Sequence, residues 1–272
     1  MKKDYFVFTD SETIYGDENP NVHIIPQENL GWPGNTLYRF HMFLSQKEEL
    51  EKFKYIFFLN ANVECYEEIK ENDFLPKKEG LLFVKHFNFH DKQNTLFSYE
   101  RNSNSTAYIP MGEGKYYVCG GANGGKAKNY LDMCEELRRR IDIDDENGVT
   151  AIWHDESQIN RYLYDLDKEN KPYKILDPGY CFPEMFLENK LKNPDSFPYD
   201  PILLYRRKQD YINVNKIKGD YNEMQGNNKN NNKKIHYYNS KTNKINKGNS
   251  TKEEISKEEN KESQKKVIKN NY

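Results

Sequence analysis

Two acids, an imidazole and an indole stand side by side in the run Trp153-His154-Asp155-Glu156, shortly after the glycine-rich residues 120–125. Tryptophan favours burial, whereas Asp and Glu resist it unless they are paired. The combination is typical of a cleft wall, where a fixed carboxylate meets developing positive charge. The run also matches an ordinary capped helix start, in which Asp155 or Ser157 accepts backbone N–H bonds. Spacing alone favours the helix start.

Strand-like runs lead into two polar or glycine-rich segments. Residues 116–119 indicate a strand that ends at Gly120 and Gly121, where a backbone without a Cβ can lie against a ligand; a structural bend is the alternative. Residues 55–59 form another apolar run, which stops at Asn60-Ala61-Asn62. Ligands of open α/β sheets gather where strands end. Both segments are therefore candidates for one site.

Periodic apolar patterns predict the other elements. Strands are predicted at residues 5–9, 80–84 and 202–205, and helices at 37–53, at 126–141 and after residue 154. This alternation predicts one α/β domain over residues 1–212. We expect a mostly parallel central sheet with helices on both faces and the site at the strand ends.

Composition separates this domain from the end of the chain. Most Phe, Trp and Leu residues precede residue 211, and the remainder is rich in Asn, Lys, Glu and Ser. From Tyr211 onward 14 Lys stand against 7 acids, so a net −2 for the chain leaves the body near −9. An acidic body argues against a nucleic-acid partner. We predict a disordered tail at 213–272, with contact to anionic lipid or RNA as the alternative.

Cysteine spacing and hydropathy indicate the compartment. The four cysteines, Cys65, Cys119, Cys134 and Cys181, form no C-x-x-C pair, which favours a reducing environment over a disulfide framework or a zinc site. No apolar run reaches membrane-spanning length, and the N-terminus lacks a signal-type region. We expect a cytoplasmic protein without a membrane span, acting in the cytoplasm or at the inner membrane surface.

Four motifs together resemble glycosyltransferase family 6, which includes the ABO blood-group transferases, the α-1,3-galactosyltransferases and their bacterial relatives. They are Trp153-His154-Asp155-Glu156-Ser157, Tyr116-Tyr117-Val118-Cys119-Gly120-Gly121, Phe97-Ser98-Tyr99-Glu100-Arg101 and Ala107-Tyr108-Ile109-Pro110. Order and spacing agree over most of residues 4–205. The resemblance implies a GT-A fold. It also implies that the family's first strand and helix are missing, so the chain starts late, is truncated or works without them.

The resemblance assigns Glu156 to catalysis beneath the anomeric carbon, as nucleophile or as stabiliser of an oxocarbenium-like centre. The donor-binding residues that it implies are Arg39, Asn60, Asn62, Cys119, Gly120, Gly121, Asp155 and Lys208. Arg39 would hold the diphosphate, although its place off the apolar stripe is also typical of a solvated helix residue. Gly121 would leave space for an acetamido group, which favours UDP-GalNAc over UDP-Gal.

The resemblance also implies an acceptor site. Its residues are His86, Ser98, Trp153, His154 and Glu184. Trp153 would provide a stacking wall for a sugar, and His154 would hydrogen-bond its hydroxyls. The expected acceptor is an oligosaccharide that ends in galactose, with or without fucose.

The segment Asn60-Ala61-Asn62 stands where most GT-A enzymes carry Asp-x-Asp, whose carboxylates hold Mn²⁺ or Mg²⁺. An amide is a poor ligand for a hard cation, and the sequence resembles bacterial members that need no metal. We therefore expect no cofactor. Arg39 and the cluster Arg206-Arg207-Lys208 would instead neutralise the leaving diphosphate; an ordinary basic surface is the alternative for the cluster.

These expectations combine into one function and one alternative. The chain would transfer GalNAc or Gal from UDP to the 3-hydroxyl of an acceptor galactose with retention of α configuration. The alternative is a catalytically inactive, truncated remnant of the same fold that binds a sugar or a nucleotide.

Overall fold

The computed structural model describes residues 2–210, whose strands pair into three sheets. The strands are β1 (Tyr5–Thr9), β2 (Val22–Pro26), β3 (Tyr55–Leu59), β4 (Val63–Cys65), β5 (Leu81–Lys85), β6 (Val118–Lys126), β7 (Lys174–Leu176), β8 (Phe182–Pro183) and β9 (Leu203–Tyr205). The helices are α1 (Gly31–Leu37), α2 (Arg39–Leu44), α3 (Lys47–Leu50), α4 (Glu71–Phe74), α5 (Ala127–Glu146), α6 (Asp155–Lys168) and α7 (Leu187–Lys192). The predicted tail, 213–272, lies outside the described residues.

The largest sheet is not mostly parallel, so that prediction is wrong. Its strand order is β3-β6-β5-β7. Strand β6 runs antiparallel to both β3 and β5, and only β5 and β7 are parallel. The apolar runs located the strands, but a run of buried residues carries no information on the direction of its neighbour. The mixed α/β class itself is confirmed.

The glycines of β6 allow its close packing between two strands. A Cβ on Gly124 would overlap Phe57 of β3, and one on Gly125 would overlap the Gly80 carbonyl beside β5. Strand β6 continues from Val118 to Lys126, but its register with β5 shifts between Phe83 and Lys85, opposite residues 119–122, so the structural bend that the glycines also predict is present as an irregularity of the pairing. Gly124 and Gly125 are therefore needed for packing within the sheet, whereas Gly120 and Gly121 face the candidate site.

The predicted helix at residues 37–53 is divided into α1, α2 and α3. Tyr38 and Gln46 interrupt the helical geometry between them. The apolar face survives these breaks, since Leu37, Phe40 and Phe43 all join the main core. Helix α5 extends to Glu146, five residues beyond the predicted end at 141.

Helices α2, α5 and α6 cover the large sheet. Their buried side chains, among them Phe40, Tyr130 and Leu163, pack against Phe83 and Val118 of the sheet. This packing presses the start of α6 against the start of β6. The described helices are all too short or too polar to span a bilayer.

Candidate active site

Two hydrogen-bond donors hold the Glu156 carboxylate. One is Gly120 of β6, and the other is Tyr117, which immediately precedes that strand. The Tyr117 hydroxyl donates to Glu156 Oε1 at 2.8 Å, and the Gly120 N–H donates to Oε2 at 2.7 Å. Glu156 lies in the first turn of α6, where the helix dipole favours a negative charge. Two charge-assisted hydrogen bonds fix both the position and the rotation of the carboxylate.

Asn160 fixes helix α6 to the same strand. Its side chain accepts from the Val118 N–H and donates to the Val118 carbonyl, both at 2.9 Å. The amide thus pairs with Val118 as a neighbouring strand would, and it lies one helical turn after Glu156. Both its side chain and Val118 are buried. The register between α6 and β6 is therefore set directly beneath the candidate catalytic residue.

The start of α6 also satisfies the ordinary helix-start interpretation. Ser157 Oγ, in the first turn of α6, accepts the N–H of Trp153, which precedes the helix, at 3.0 Å, as the helix-start interpretation predicts. His154, at the N-cap, has a φ of 54°, which is uncommon for a residue other than glycine. The two interpretations of this run are compatible, because a capped helix start delivers Asp155 and Glu156 to a buried position.

Arg39 is a buried residue of the site, and its interpretation as a solvated helix residue is wrong. It is 8% exposed, and its Nε lies 3.2 Å from Asp155 Oδ2. Its Nη1 donates to the Gly120 carbonyl at 3.0 Å, and its guanidinium lies 4.3 Å from the centre of the Phe58 ring. The side chain therefore joins α2, β3, β6 and α6.

Burial changes the acidity of both carboxyls. Burial raises the pKa of Asp155 to about 7, against the opposing effect of the Arg39 charge. Burial also raises the pKa of Glu156, and the Gly120 N–H and Tyr117 hydroxyl oppose that rise. Two adjacent carboxyls with one arginine form a site that favours positive charge on a bound molecule.

The space beside Gly121 is filled by protein, so the prediction that this glycine leaves room for an acetamido group is wrong. A Cβ at Gly121 would lie 2.7 Å from Asn60 Nδ2 and 2.8 Å from the Tyr205 hydroxyl. The Asn60 N–H donates to the Gly121 carbonyl at 3.0 Å. The glycine is needed because the Asn60 and Tyr205 side chains pack directly on the strand. Buried Cys119 lies beside both Tyr205 and Cys181.

Asn62 connects the Asn60–Asn62 loop to the segment after β9. Its Nδ2 donates to the Arg206 carbonyl at 2.7 Å, and its own carbonyl accepts the Arg206 N–H at 2.9 Å. Its Oδ1 is buried and accepts no hydrogen bond from the described residues. Lys208 follows in the short 3-10 turn Lys208–Asp210.

Glu184 belongs to this same segment in the structure. Its Oε1 lies 2.7 Å from Arg206 Nε, and its Oε2 accepts the Arg207 N–H at 3.1 Å. Arg206 also contacts Glu64. The predicted acceptor residue and the predicted diphosphate-binding cluster therefore contact each other.

The other predicted acceptor residues lie around Tyr117 and the start of α6. The His86 ring meets the Tyr117 ring edge-on, with centroids 5.7 Å apart, and the Ser98 carbonyl lies 3.5 Å from the Tyr117 hydroxyl. Burial lowers the pKa of His86 to about 4, so its ring is neutral near pH 7. Trp153 is 48% exposed, which leaves its face open to a ligand, and His154 packs edge-on against Trp32.

The structure thus brings together the catalytic candidate, several donor candidates and three residues that sequence reasoning missed. They are Tyr117, Asn160 and Tyr205, and the contacts of the two tyrosines follow from no spacing in the sequence. Tyr117 lies inside one of the motifs, but its strand pattern predicts only a strand residue and gives no role to its hydroxyl. Asn160 offered one signal, since a polar side chain four residues after Glu156 shares its helix face. Among residues 2–210, no group of three or more His, Cys, Asp or Glu could hold a metal ion.

Comparison with known proteins leads to the same family as the sequence motifs. The family model for glycosyltransferase family 6 matches residues 42–193. The O-antigen biosynthesis glycosyltransferase WbnI of Escherichia coli is 35% identical over 188 residues, 69% of this chain and 77% of that protein. The histo-blood group ABO system transferase 1 of Rattus norvegicus is 27% identical over 190 residues, 67% of this chain and 52% of that protein.

A third similar protein carries a more specific name. The globoside alpha-1,3-N-acetylgalactosaminyltransferase 1 of Gallus gallus is 36% identical over 109 residues, 38% of this chain and 31% of that protein. The chain therefore spans about half the length of the rat transferase and about a third of the chicken one.

Proposed function

The chain belongs to glycosyltransferase family 6, and on that premise we propose that it moves GalNAc or Gal from a UDP-sugar to the 3-hydroxyl of an acceptor galactose. The α configuration of the sugar is retained. The names of the relatives support this proposal, since they include an O-antigen glycosyltransferase and an alpha-1,3-N-acetylgalactosaminyltransferase. The acceptor is a glycan that ends in galactose, with or without fucose.

The observation that carries the proposal is the fixed carboxylate of Glu156. Both of its oxygens are hydrogen-bonded, and Asp155, with its Arg39 partner, precedes it in the same turn. When the bond from C1 to the diphosphate oxygen breaks, positive charge develops on the sugar ring. A preorganised carboxylate stabilises that charge without reorganisation of its own. It does so either by electrostatic attraction or by forming a transient bond to C1.

The other residues bind and orient the two sugars. The Asp155 carboxylate accepts hydrogen bonds from donor sugar hydroxyls, and Asn62 Oδ1 offers a further buried acceptor in the donor region. The exposed face of Trp153 stacks on the acceptor, and His86, as a neutral imidazole, hydrogen-bonds one of its hydroxyls.

The reaction proceeds without a divalent cation. Asn60 and Asn62 present neutral amides where a metal site needs carboxylates, and Asn62 Nδ2 is committed to the Arg206 carbonyl. The cations Arg39, Arg206 and Lys208 replace the metal in neutralising the leaving UDP. Arginine is suited to this task because its guanidinium binds phosphate oxygens in pairs.

The test is transfer from UDP-GalNAc and UDP-Gal to galactosides, with and without fucose, in excess EDTA. Wild type should form an α-1,3 product under these conditions. Glu156→Gln removes the negative charge, and kcat should fall about 1,000-fold or more. Glu188→Gln, on an exposed residue that pairs with Lys192, is the matched control and should keep full activity.

Two results would contradict parts of the proposal. Activity that requires added Mn²⁺ would refute metal independence. UDP binding without hydrolysis or transfer of any donor would refute the enzyme and support the inactive remnant.

A further inference from the structure

The Tyr117 hydroxyl is buried and directed at the candidate catalytic carboxylate. Tyr117 is 2% exposed, and its hydroxyl donates to Glu156 Oε1 at 2.8 Å. The hydroxyl has one other near acceptor, the Ser98 carbonyl at 3.5 Å, which is at the limit of a hydrogen bond. The proton of this phenol therefore belongs to Glu156.

A purely structural role would need only the ring. The ring stacks on Tyr99 at 5.4 Å and contacts Phe89 at 4.5 Å, within a cluster that includes Phe97 and Ile109. Phenylalanine would fill this space equally well. A hydroxyl in an apolar cluster costs stability unless it has a partner, so its presence needs a reason beyond packing. Glu156 supplies that reason.

The groups around Glu156 explain why its carboxylate needs a hydrogen-bond donor on the side that faces β6. Asp155 precedes it on α6, Arg39 faces it from α2, and buried Cys181 faces it from the turn after β7. The side of Glu156 that faces β6 has the Tyr117 hydroxyl and the Gly120 N–H as its donors. Burial and the Glu156 charge raise the pKa of Tyr117, so this phenol keeps its proton and acts only as a donor.

We propose that Tyr117 is a positioning residue for the glycosyl transfer, which holds Glu156 ionised and oriented toward the anomeric carbon of the donor. This inference rests on the proposed function. Tyr117 itself touches neither sugar. It acts by offsetting the burial of the carboxylate and by fixing the rotation of its side chain, while the backbone N–H of Gly120 holds the other oxygen.

The test compares Tyr117→Phe with Tyr99→Phe. Both changes remove one buried hydroxyl from the same aromatic cluster, but the Tyr99 hydroxyl donates to the Tyr116 carbonyl at 2.7 Å. In Tyr117→Phe, kcat should fall about 10- to 100-fold with the donor KM unchanged, because a hydrogen bond to a charged group is lost. The acid limb of the pH profile of kcat/KM should move up by about one to two pH units. Tyr99→Phe should move neither.

A second variant should shift the acid limb of the pH profile in the opposite direction. Site-specific 3-fluorotyrosine at position 117 is a more acidic phenol and a stronger donor, so the acid limb should move down. This variant keeps the ring and its hydroxyl, and it remains informative if Tyr117→Phe does not fold. An acid limb that stays in place in every folded variant would overturn the proposal.

The failure of the proposed function is distinguishable from the failure of this inference. If wild type transfers no sugar, the titration of Glu156 can be followed by ¹³C NMR of labelled glutamate carboxyls, with Glu156→Gln assigning the signal. The pKa of Glu156 should still rise in Tyr117→Phe and fall with 3-fluorotyrosine. An unchanged titration would refute the role of Tyr117 whether or not the protein is an enzyme.

Discussion

Arg39 shows what a single side chain contributes to this site. Its guanidinium contacts Asp155, the Gly120 carbonyl and the face of Phe58 at once. A lysine at this position keeps the charge, but its single ammonium lacks the planar fork that serves two acceptors and stacks on a ring. We therefore expect Arg39→Lys to lower kcat/KM about 10- to 100-fold and to lower the melting temperature by several degrees.

The control for this prediction is Arg139→Lys. Arg139 pairs with Glu136 on the exposed side of α5, where surface ion pairs contribute little. Steady-state kinetics and thermal melts measure kcat/KM and the melting temperature of both variants. Equal behaviour of the two variants would show that charge alone, without the geometry of the fork, suffices at position 39.

At this scale the sequence identified the reacting groups better than their partners. Residue types and the family motif both singled out Asp155 and Glu156. Helical periodicity, in contrast, favoured a solvated Arg39, because it describes one helix and carries no information on a partner over a hundred residues away. The role of Tyr117 was hidden for a related reason, since its strand pattern accounts for the ring but not for the hydroxyl.

At the scale of elements, the contact between α6 and β6 positions the site, and Asn160 is its main polar link. Asn160→Ala leaves the buried N–H and carbonyl of Val118 without partners. Each unsatisfied group costs about 1 to 3 kcal/mol, so the loss of both partners should lower the free energy of unfolding by about 2 to 6 kcal/mol. Urea denaturation measures this loss, and transfer activity should fall with it because Glu156 lies one turn away.

Asn193→Ala serves as the comparison for Asn160. The Asn193 side chain bonds to Asn189 at an exposed position, and its loss should cost less than about 0.5 kcal/mol. Similar costs for the two variants would mean that solvent or a rearranged backbone satisfies Val118.

The elements themselves were more predictable than their arrangement. The runs at 5–9, 55–59 and 202–205 and the helix after residue 154 all reappear within two residues of their predicted bounds. The antiparallel pairing of β6 did not follow from the sequence, because its buried residues show no period that distinguishes the direction of a neighbour. The close approach of Asn60, Gly121 and Tyr205 likewise depends on β3, β6 and β9 meeting in space.

For the whole molecule, the buried carboxyl of Asp155 makes stability depend on pH. Burial raises its pKa in the folded state to about 7, whereas a free aspartate in the unfolded chain titrates near 3.9. Between these two values the folded protein keeps a proton that the unfolded chain has lost. Because the folded state then binds more protons, this group lowers the free energy of unfolding as the pH rises from about 4 to about 7.

Asp155→Asn removes this titration, and the stability difference between wild type and variant should therefore shift in favour of the variant as the pH rises from about 5 to about 8. Replacing Asp155 also leaves the Arg39 Nε without this carboxylate, which destabilises the variant, but the effect of the Arg39 charge on the titration is already contained in the pKa of about 7. Asp145, whose pKa burial raises to about 6, contributes equally to both proteins and cancels. Urea denaturation across this range measures the difference, with the exposed Asp132→Asn as a control that should show no trend. Parallel curves for wild type and Asp155→Asn would mean that Arg39 keeps Asp155 ionised throughout.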